Sequence, residues 1–169
     1  MPKTVLGQLL EVDISLYNKV YRLVKEYYKE KYYEMQKPVL LHHDYDMQNL
    51  MVENLTNRVV VIDWDSARGG IPEVDFIKVK YLCLLKCNES CVREFINGYK
   101  SVRELDITMN YPIQEIIWLC KMYLFESKWK LGRDEKFYPS QQFYYNEIIN
   151  ACRNFEHFFD NCMNKYVMK

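Results

Sequence analysis

Two short strand-like runs, Asn49-Leu50-Met51-Val52 and Arg58-Val59-Val60-Val61-Ile62, flank Glu53-Asn54-Leu55-Thr56-Asn57, a stretch rich in turn formers. Runs of this kind around such a cluster read as a hairpin. What constrains the chain is the set of residues at the hairpin's open end. Before the first run stands His42-His43-Asp44, and the run itself opens on Asn49, five residues after Asp44; after the second stands Asp63-Trp64-Asp65. A hairpin sets the start of its first strand beside the end of its second. Asn49 and Asp63 are therefore expected as neighbours, with Asp44 on the loop that leads in.

Those residue types in that order suit phosphoryl transfer. The transferring group passes through a loose transition state, so the protein mainly positions the reactants and neutralises charge. One carboxylate is needed on the attacking hydroxyl, and oxygen ligands on Mg²⁺. Asp44 is the candidate catalytic carboxylate, and Asn49 and Asp63 are the candidate metal ligands. Two protein ligands suffice, because Mg²⁺ keeps several waters and is usually held by one or two carboxylates plus substrate phosphates. The plainer reading makes Asp44 and Asp63 turn and strand-end residues satisfied by local backbone, with Asn49 in an Asx-type turn. An Asp followed five residues later by an Asn says little alone. Its conjunction with the hairpin, Asp63 and the later Pro72 and Asp75 carries the chemical reading.

At these residues the chain resembles the aminoglycoside phosphotransferase and choline kinase group of protein-kinase-like enzymes. His42, Asp44 and Asn49 stand where that family has its catalytic loop, and Ile62-Asp63-Trp64-Asp65 matches its metal-binding segment. Ala67, Gly70, Pro72 and Asp75 fall where its members continue, and Phe95-Ile96-Asn97-Gly98-Tyr99 resembles its Phe-x-x-Gly-Tyr element. The resemblance implies that Asp44 orients or deprotonates the acceptor hydroxyl while Asn49 and Asp63 hold Mg²⁺. It casts His42, Asp65 and Asp75 as supporting residues, with His42 and Asp75 bracing the loop and capping the next helix. It implies ATP as co-substrate and an aminoglycoside-, choline- or sugar-like hydroxyl compound as acceptor. Two positions depart from the pattern: His43 replaces a small residue, and Ile71 stands where an aspartate is frequent.

Kinases of this group have a small lobe whose glycine-rich loop and strand lysine hold the nucleotide. Only five glycines occur here, Gly7, Gly69, Gly70, Gly98 and Gly132, and none has a phosphate-cradling spacing before a strand. The segment before Asp44 has room for one helix and little else. The expected fold is therefore α+β and predominantly α, one domain over residues 1–169. It corresponds to the C-terminal catalytic lobe of a protein-kinase-like fold without the nucleotide-binding N-terminal lobe. Apolar surface near Leu50, Val61 and Trp64 would then lie open, and large exposed patches tend to find partners. The expected partner is the missing lobe or a second copy of the chain through that face. The alternative is an inactive pseudokinase or a truncated binding and interaction module.

Charge and composition narrow the partners. The 23 basic and 23 acidic side chains leave no net field, so a nucleic acid, whose binding depends on phosphate neutralisation, is not indicated. No apolar run approaches membrane-spanning length. The segment MPKTVLGQLLEVD lacks the apolar core of a secretory signal, so a cytoplasmic protein is expected. The six cysteines show no paired C-x-x-C spacing and lie in helical stretches, which favours free buried thiols.

Along the chain, Met1 to Glu11 reads as loose or partly docked. Asp13 should cap a helix to about Tyr33, with Leu16, Val20, Leu23, Val24 and Tyr27 at helical spacing and Lys25, Lys29, Glu30 and Lys31 on its solvated face. Val39-Leu40-Leu41 should be a buried extended segment, and Ser66 to Pro72 a loop in which Arg68 reads as an ordinary surface residue ahead of a contact to phosphate or an acidic substrate. Helices are expected from Glu73 or Asp75 toward Lys86, from Glu89 to about Val102, from Pro112 to Gly132, and from Ser140 to about Lys165. From Ile107 onward acidic and basic residues balance, without the acidic excess of an aminoglycoside site. Trp118, Trp129, Phe143, Tyr144 and Tyr145 suit either a quaternary-amine cage or, at helical spacing, the core.

Overall fold

Asp13 is extended, and its Oδ1 accepts from the Leu16 backbone N–H at 2.9 Å. That satisfies one of the orphan donors of the helix it opens. The computed structural model describes residues 2–28, 38–71, 73–86, 89–102, 111–128, 139–153 and 155. Among them six α-helices and two small antiparallel sheets follow in the order α1 Pro2–Val12, α2 Ile14–Tyr27, β1 Val39–Leu41, β2 Leu50–Val52, β3 Val59–Val61, β4 Arg68–Gly70, α3 Glu73–Lys86, α4 Glu89–Val102, α5 Tyr111–Lys128 and α6 Gln141–Arg153.

Helix α5 is the hub. Tyr111, Ile113, Ile116, Ile117, Leu119, Cys120, Tyr123 and Leu124 are all buried, so the helix is apolar nearly all round, as a central helix must be. Leu6 and Leu9 of α1, Leu16 and Val20 of α2, Ile77 and Tyr81 of α3, and Tyr144 and Ile148 of α6 close around it in one core. A second, smaller cluster joins Phe76 and Val79 of α3 to Val92 and Ile96 of α4, with Tyr45 of the loop after β1 packed against it. The loop thereby rests on helices at its underside.

The hairpin forms as the sequence predicts, with Leu50 opposite Val61, Met51 opposite Val60 and Val52 opposite Val59. Asn57 closes its turn at a left-handed φ of 55°, a conformation asparagine tolerates better than most residues. Three expectations need correction. The N-terminal segment is helical through Val12, because docking Leu6 and Leu9 into the core supplies the stability that an isolated short helix lacks. The stretch after Ser66 is not all loop. Arg68–Gly70 pairs antiparallel with Val39–Leu41, Leu41 facing Arg68 and Val39 facing Gly70. Val39–Leu41 is buried only at Leu41, while Leu40 points outward, following the alternation of a strand with one covered face.

Gly70 explains why the β1–β4 pair can form. A Cβ there would lie 2.5 Å from Leu41 Cδ1, and Leu41 is buried, so any other residue would have to push that side chain aside within the core. The helix beginning at Ile14 is described to Tyr27. Its expected extension to Tyr33, the charged face at Lys29, Glu30 and Lys31, the stop at Gly132 and the last helix toward Lys165 lie outside the described residues, as do Pro72 and Trp129. Among the described residues Cys91, Cys120 and Cys152 are free thiols. Burial raises the pKa of Cys120, and pushes that of Cys152 to about 11, which leaves both protonated and poorly nucleophilic. No helix among the described residues is long and apolar enough to cross a membrane.

Candidate active site

His42 is the pivot of the site. It is 2% exposed. Its backbone N–H donates to Asp75 Oδ2 at 2.8 Å, its Nδ1 accepts from the Asp44 N–H at 3.3 Å, and its Nε2 lies 2.8 Å from the Ile62 carbonyl. An acceptor at Nδ1 and a carbonyl at Nε2 together require the neutral ring protonated on Nε2. One imidazole thus fastens the loop carrying Asp44 to the strand end carrying Asp63. Asp75 lies in the first turn of α3, and its other oxygen accepts from the His43 N–H at 2.9 Å. Both oxygens of that carboxylate turn to the loop, so Asp75 braces the loop rather than capping its own helix.

Asn49 ends a short 3₁₀ turn, Met47–Asn49, immediately before β2. Its Nδ2 donates to the Asp44 carbonyl at 2.8 Å and to Asp44 Oδ2 at 3.3 Å. Since both partners are acceptors, the amide orientation is settled chemically and Oδ1 is the oxygen that remains for a cation. The Asn49 carbonyl accepts from the Ile62 N–H at 2.9 Å, so Asp63 begins one residue from that bond. Asp63 adopts φ 61°, ψ 61°, and opens the 3₁₀ turn Trp64–Ser66 without a side-chain cap bond. A carboxylate held exposed in a left-handed conformation, with no local capping role, is spent on something other than its own turn. Asp65 lies exposed in that turn. Trp64 donates from Nε1 to the Val61 carbonyl at 2.9 Å and packs its ring 4.8 Å from His42.

The donors fit Mg²⁺: one neutral amide oxygen and one exposed carboxylate, on backbones that are hydrogen-bonded together, leave room for waters and phosphates. Among the described residues no cluster of three or more His, Cys, Asp or Glu side chains suggests a different metal centre.

Asp44 meets the first two and one residue that sequence reasoning missed. Lys78 of α3 donates to Asp44 Oδ1 and lies 3.7 Å from Asp46 Oδ2. The signal was present in the spacing: Asp75 and Lys78 are three apart on one helix and share a face, so fastening Asp75 to the loop brings Lys78 over it. Partial burial pushes the Asp44 pKa up, but the hydrogen bond and charge of Lys78 and the Asn49 amide outweigh it, and the carboxyl titrates below its ordinary value. His43 is shifted downward by burial and by Arg68, whose guanidinium lies 3.3 Å from His43 Nδ1. Arg68 is therefore exposed as expected, yet it touches the loop.

A cavity of about 320 Å³ opens beside Asp44. The loop and α3 supply His43, Asp44, Asp46 and Lys78 to its wall, and α5 and α6 supply Trp118, Lys121, Glu126 and Tyr144. Trp118 stacks on Tyr81 with ring centres 5.4 Å apart, so the aromatic residues there serve both core and cavity wall. Glu115 turns the other way. It is buried, and its Oε1 accepts from Lys80 Nζ and Tyr81 Oη, each at 2.6 Å. A larger cavity of about 560 Å³ lies behind β1 against Tyr45, Phe76, Phe95 and Tyr99. Its wall is mostly apolar, and the Asp75 carboxylate at its edge is committed to the loop.

Residues 12–105 match a family model described as the phosphotransferase enzyme family. No curated protein and no solved structure matches the chain. The matched segment spans more than half of the 169 residues and includes the loop at Asp44, the hairpin, Asp63, Asp75 and Lys78. The chain belongs to the phosphotransferase enzyme family.

Proposed function

We propose that this chain is the catalytic lobe of a kinase-like enzyme that transfers the γ-phosphoryl group of Mg²⁺-bound ATP to a hydroxyl of a small molecule. The observation that carries the proposal is the continuous hydrogen-bonded path Asp44–His42–Ile62 and Asp44–Asn49–Ile62, which holds a carboxylate, an amide oxygen and a second carboxylate on one frame. In this reading Asn49 and Asp63 hold Mg²⁺, which neutralises charge on the phosphates. Asp44 takes or directs the proton of the acceptor hydroxyl, whose oxygen bonds to the γ-phosphorus as the bond from that phosphorus to the ADP oxygen breaks. His42 and Asp75 fix the loop, and Asp65 supports the turn beyond Asp63.

The nucleotide-holding elements are not among the motifs of these residues, so the activity needs a small lobe or a second copy over the hairpin. Exposed Met51, Val52, Leu55, Val59, Val60 and Trp64 on that side support a cover of this kind. Calorimetric titration with Mg²⁺ and ATP tests the reading. Binding that Asp63→Asn weakens at least about ten-fold, with slow ATP hydrolysis that Asp44→Asn abolishes, is the expected result. Nucleotide binding unchanged in Asp63→Asn would sink the metal assignment and leave an inactive binding module, the second reading.

A further inference from the structure

The cavity beside Asp44 already holds, on its acidic side, a cation of the chain itself. Lys78 bridges Asp44 and Asp46, and its side chain is 22% exposed, so the ammonium is neither free in solvent nor sealed in the core. An amine-bearing acceptor would seek those two carboxylates and would meet Lys78 at contact distance, where like charges repel. Lys121, exposed on α5, adds a second ammonium to the same wall. Glu126 opposes it there but is engaged in an interaction of its own. His43, which also lines the wall, is held toward its neutral form by burial and Arg68.

An ammonium has three N–H donors. The contacts to Asp44 and Asp46 leave Lys78 able to reach a ligand oxygen that approaches Asp44 from the cavity. Resting on the phosphotransferase reading above, we propose that Lys78 is a specificity-determining residue and that the acceptor is a hydroxylated anion. Its hydroxyl lies on Asp44 and its carboxylate or phosphate on Lys78 and Lys121, while amines are turned away. The fixed position of α3 carries this selectivity: Lys78 stands one helical turn from Asp75, which is bonded to the loop through both carboxylate oxygens.

The test uses three probes with one three-carbon skeleton and different charge: D-glycerate, glycerol and serinol. Each is titrated calorimetrically into the 169-residue chain without nucleotide. D-glycerate is expected to bind at least about ten-fold more tightly than the other two, the scale of one partly screened charge contact. In Lys78→Gln that advantage disappears and serinol gains, whereas Lys78→Arg keeps the order. Lys121→Gln, on an exposed position that does not threaten folding, weakens D-glycerate alone. Serinol binding tightest to the unaltered chain, an unchanged order in a Lys78→Gln variant of native circular dichroism, or no D-glycerate binding at all would each overturn the proposal. Asp63→Asn separates the two readings, since it should weaken Mg²⁺-ATP binding and leave the probe order intact. An unaltered chain with this probe order but no nucleotide binding would overturn nucleotide binding by the lobe alone and not the selectivity.

Discussion

His43 occupies a left-handed φ of 62°, which costs a residue with a Cβ about 1–2 kcal/mol. That is the physical meaning of the small residue the family pattern has there, and the structure offsets the cost by giving the His43 N–H to Asp75. Burial and the Arg68 charge also lower its pKa below the ordinary 6.5. A group whose folded pKa is depressed contributes stability that is whole above the unfolded value and is lost as pH falls through the folded one. His43→Gly is therefore expected to raise stability by about 1 kcal/mol or less in neutral solution, with the advantage growing as pH drops below 6.5. Urea unfolding on both sides of that pH checks it. A variant that loses stability would mean the ring's packing outweighs its strain. At this scale the sequence named His42, Asp44, Asn49, Asp63 and Asp75, because each carries a side chain whose chemistry is visible in one letter. It did not show Lys78, whose importance comes from an ion pair across 34 positions of chain.

Elements set where those side chains stand. The β1–β4 pair positions the start of the catalytic loop, and it depends on the missing Cβ at Gly70. Gly70→Ala should cost about 1–3 kcal/mol by forcing Leu41 aside, and should weaken Mg²⁺-ATP binding along with it. Thermal unfolding and the nucleotide titration together measure this, and a neutral effect on both would show that the pair yields cheaply. Between α3 and α5 the Lys80–Glu115 pair is nearly sealed, with side chains 11% and 1% exposed. Lys80→Met leaves a buried carboxylate without its cation and should cost about 3–5 kcal/mol, while Lys80→Met combined with Glu115→Leu should recover most of it in urea unfolding. A single variant as stable as the double one would show that Tyr81 alone satisfies Glu115. The hairpin and five of the helices were legible from periodicity and caps. Helix α1 and strand β4 were not, because short segments take their conformation from what they pack against.

For the whole molecule the exposed hairpin decides behaviour. Leu55 is 96% exposed, and Met51, Val52, Val59 and Val60 are open beside it. The two-stranded sheet that carries them also ends in unprotected edges. The isolated chain is expected to self-associate, with an average mass in sedimentation that rises with concentration. Replacing the cross-strand pair by Met51→Glu with Val60→Lys keeps a favourable pairing in the hairpin and should reduce that rise in mass. A constant monomer mass for the unaltered chain would show that this face is not adhesive by itself.

The sequence by itself determined the family, the hairpin and the identity of the polar residues at its open end, because those features rest on local turn chemistry, strand runs and fixed short spacings. Tertiary structure alone decided that His42 joins the two halves of the site and that Asp75 faces the loop instead of its own helix. It alone decided that Glu115 is a core ion and that Lys78 sits on Asp44. Each of these is a contact between residues 20 or more positions apart, set by how the loop meets the hairpin and α3 and by how α3 meets α5, and short spacings show such a contact only once one end of it is known.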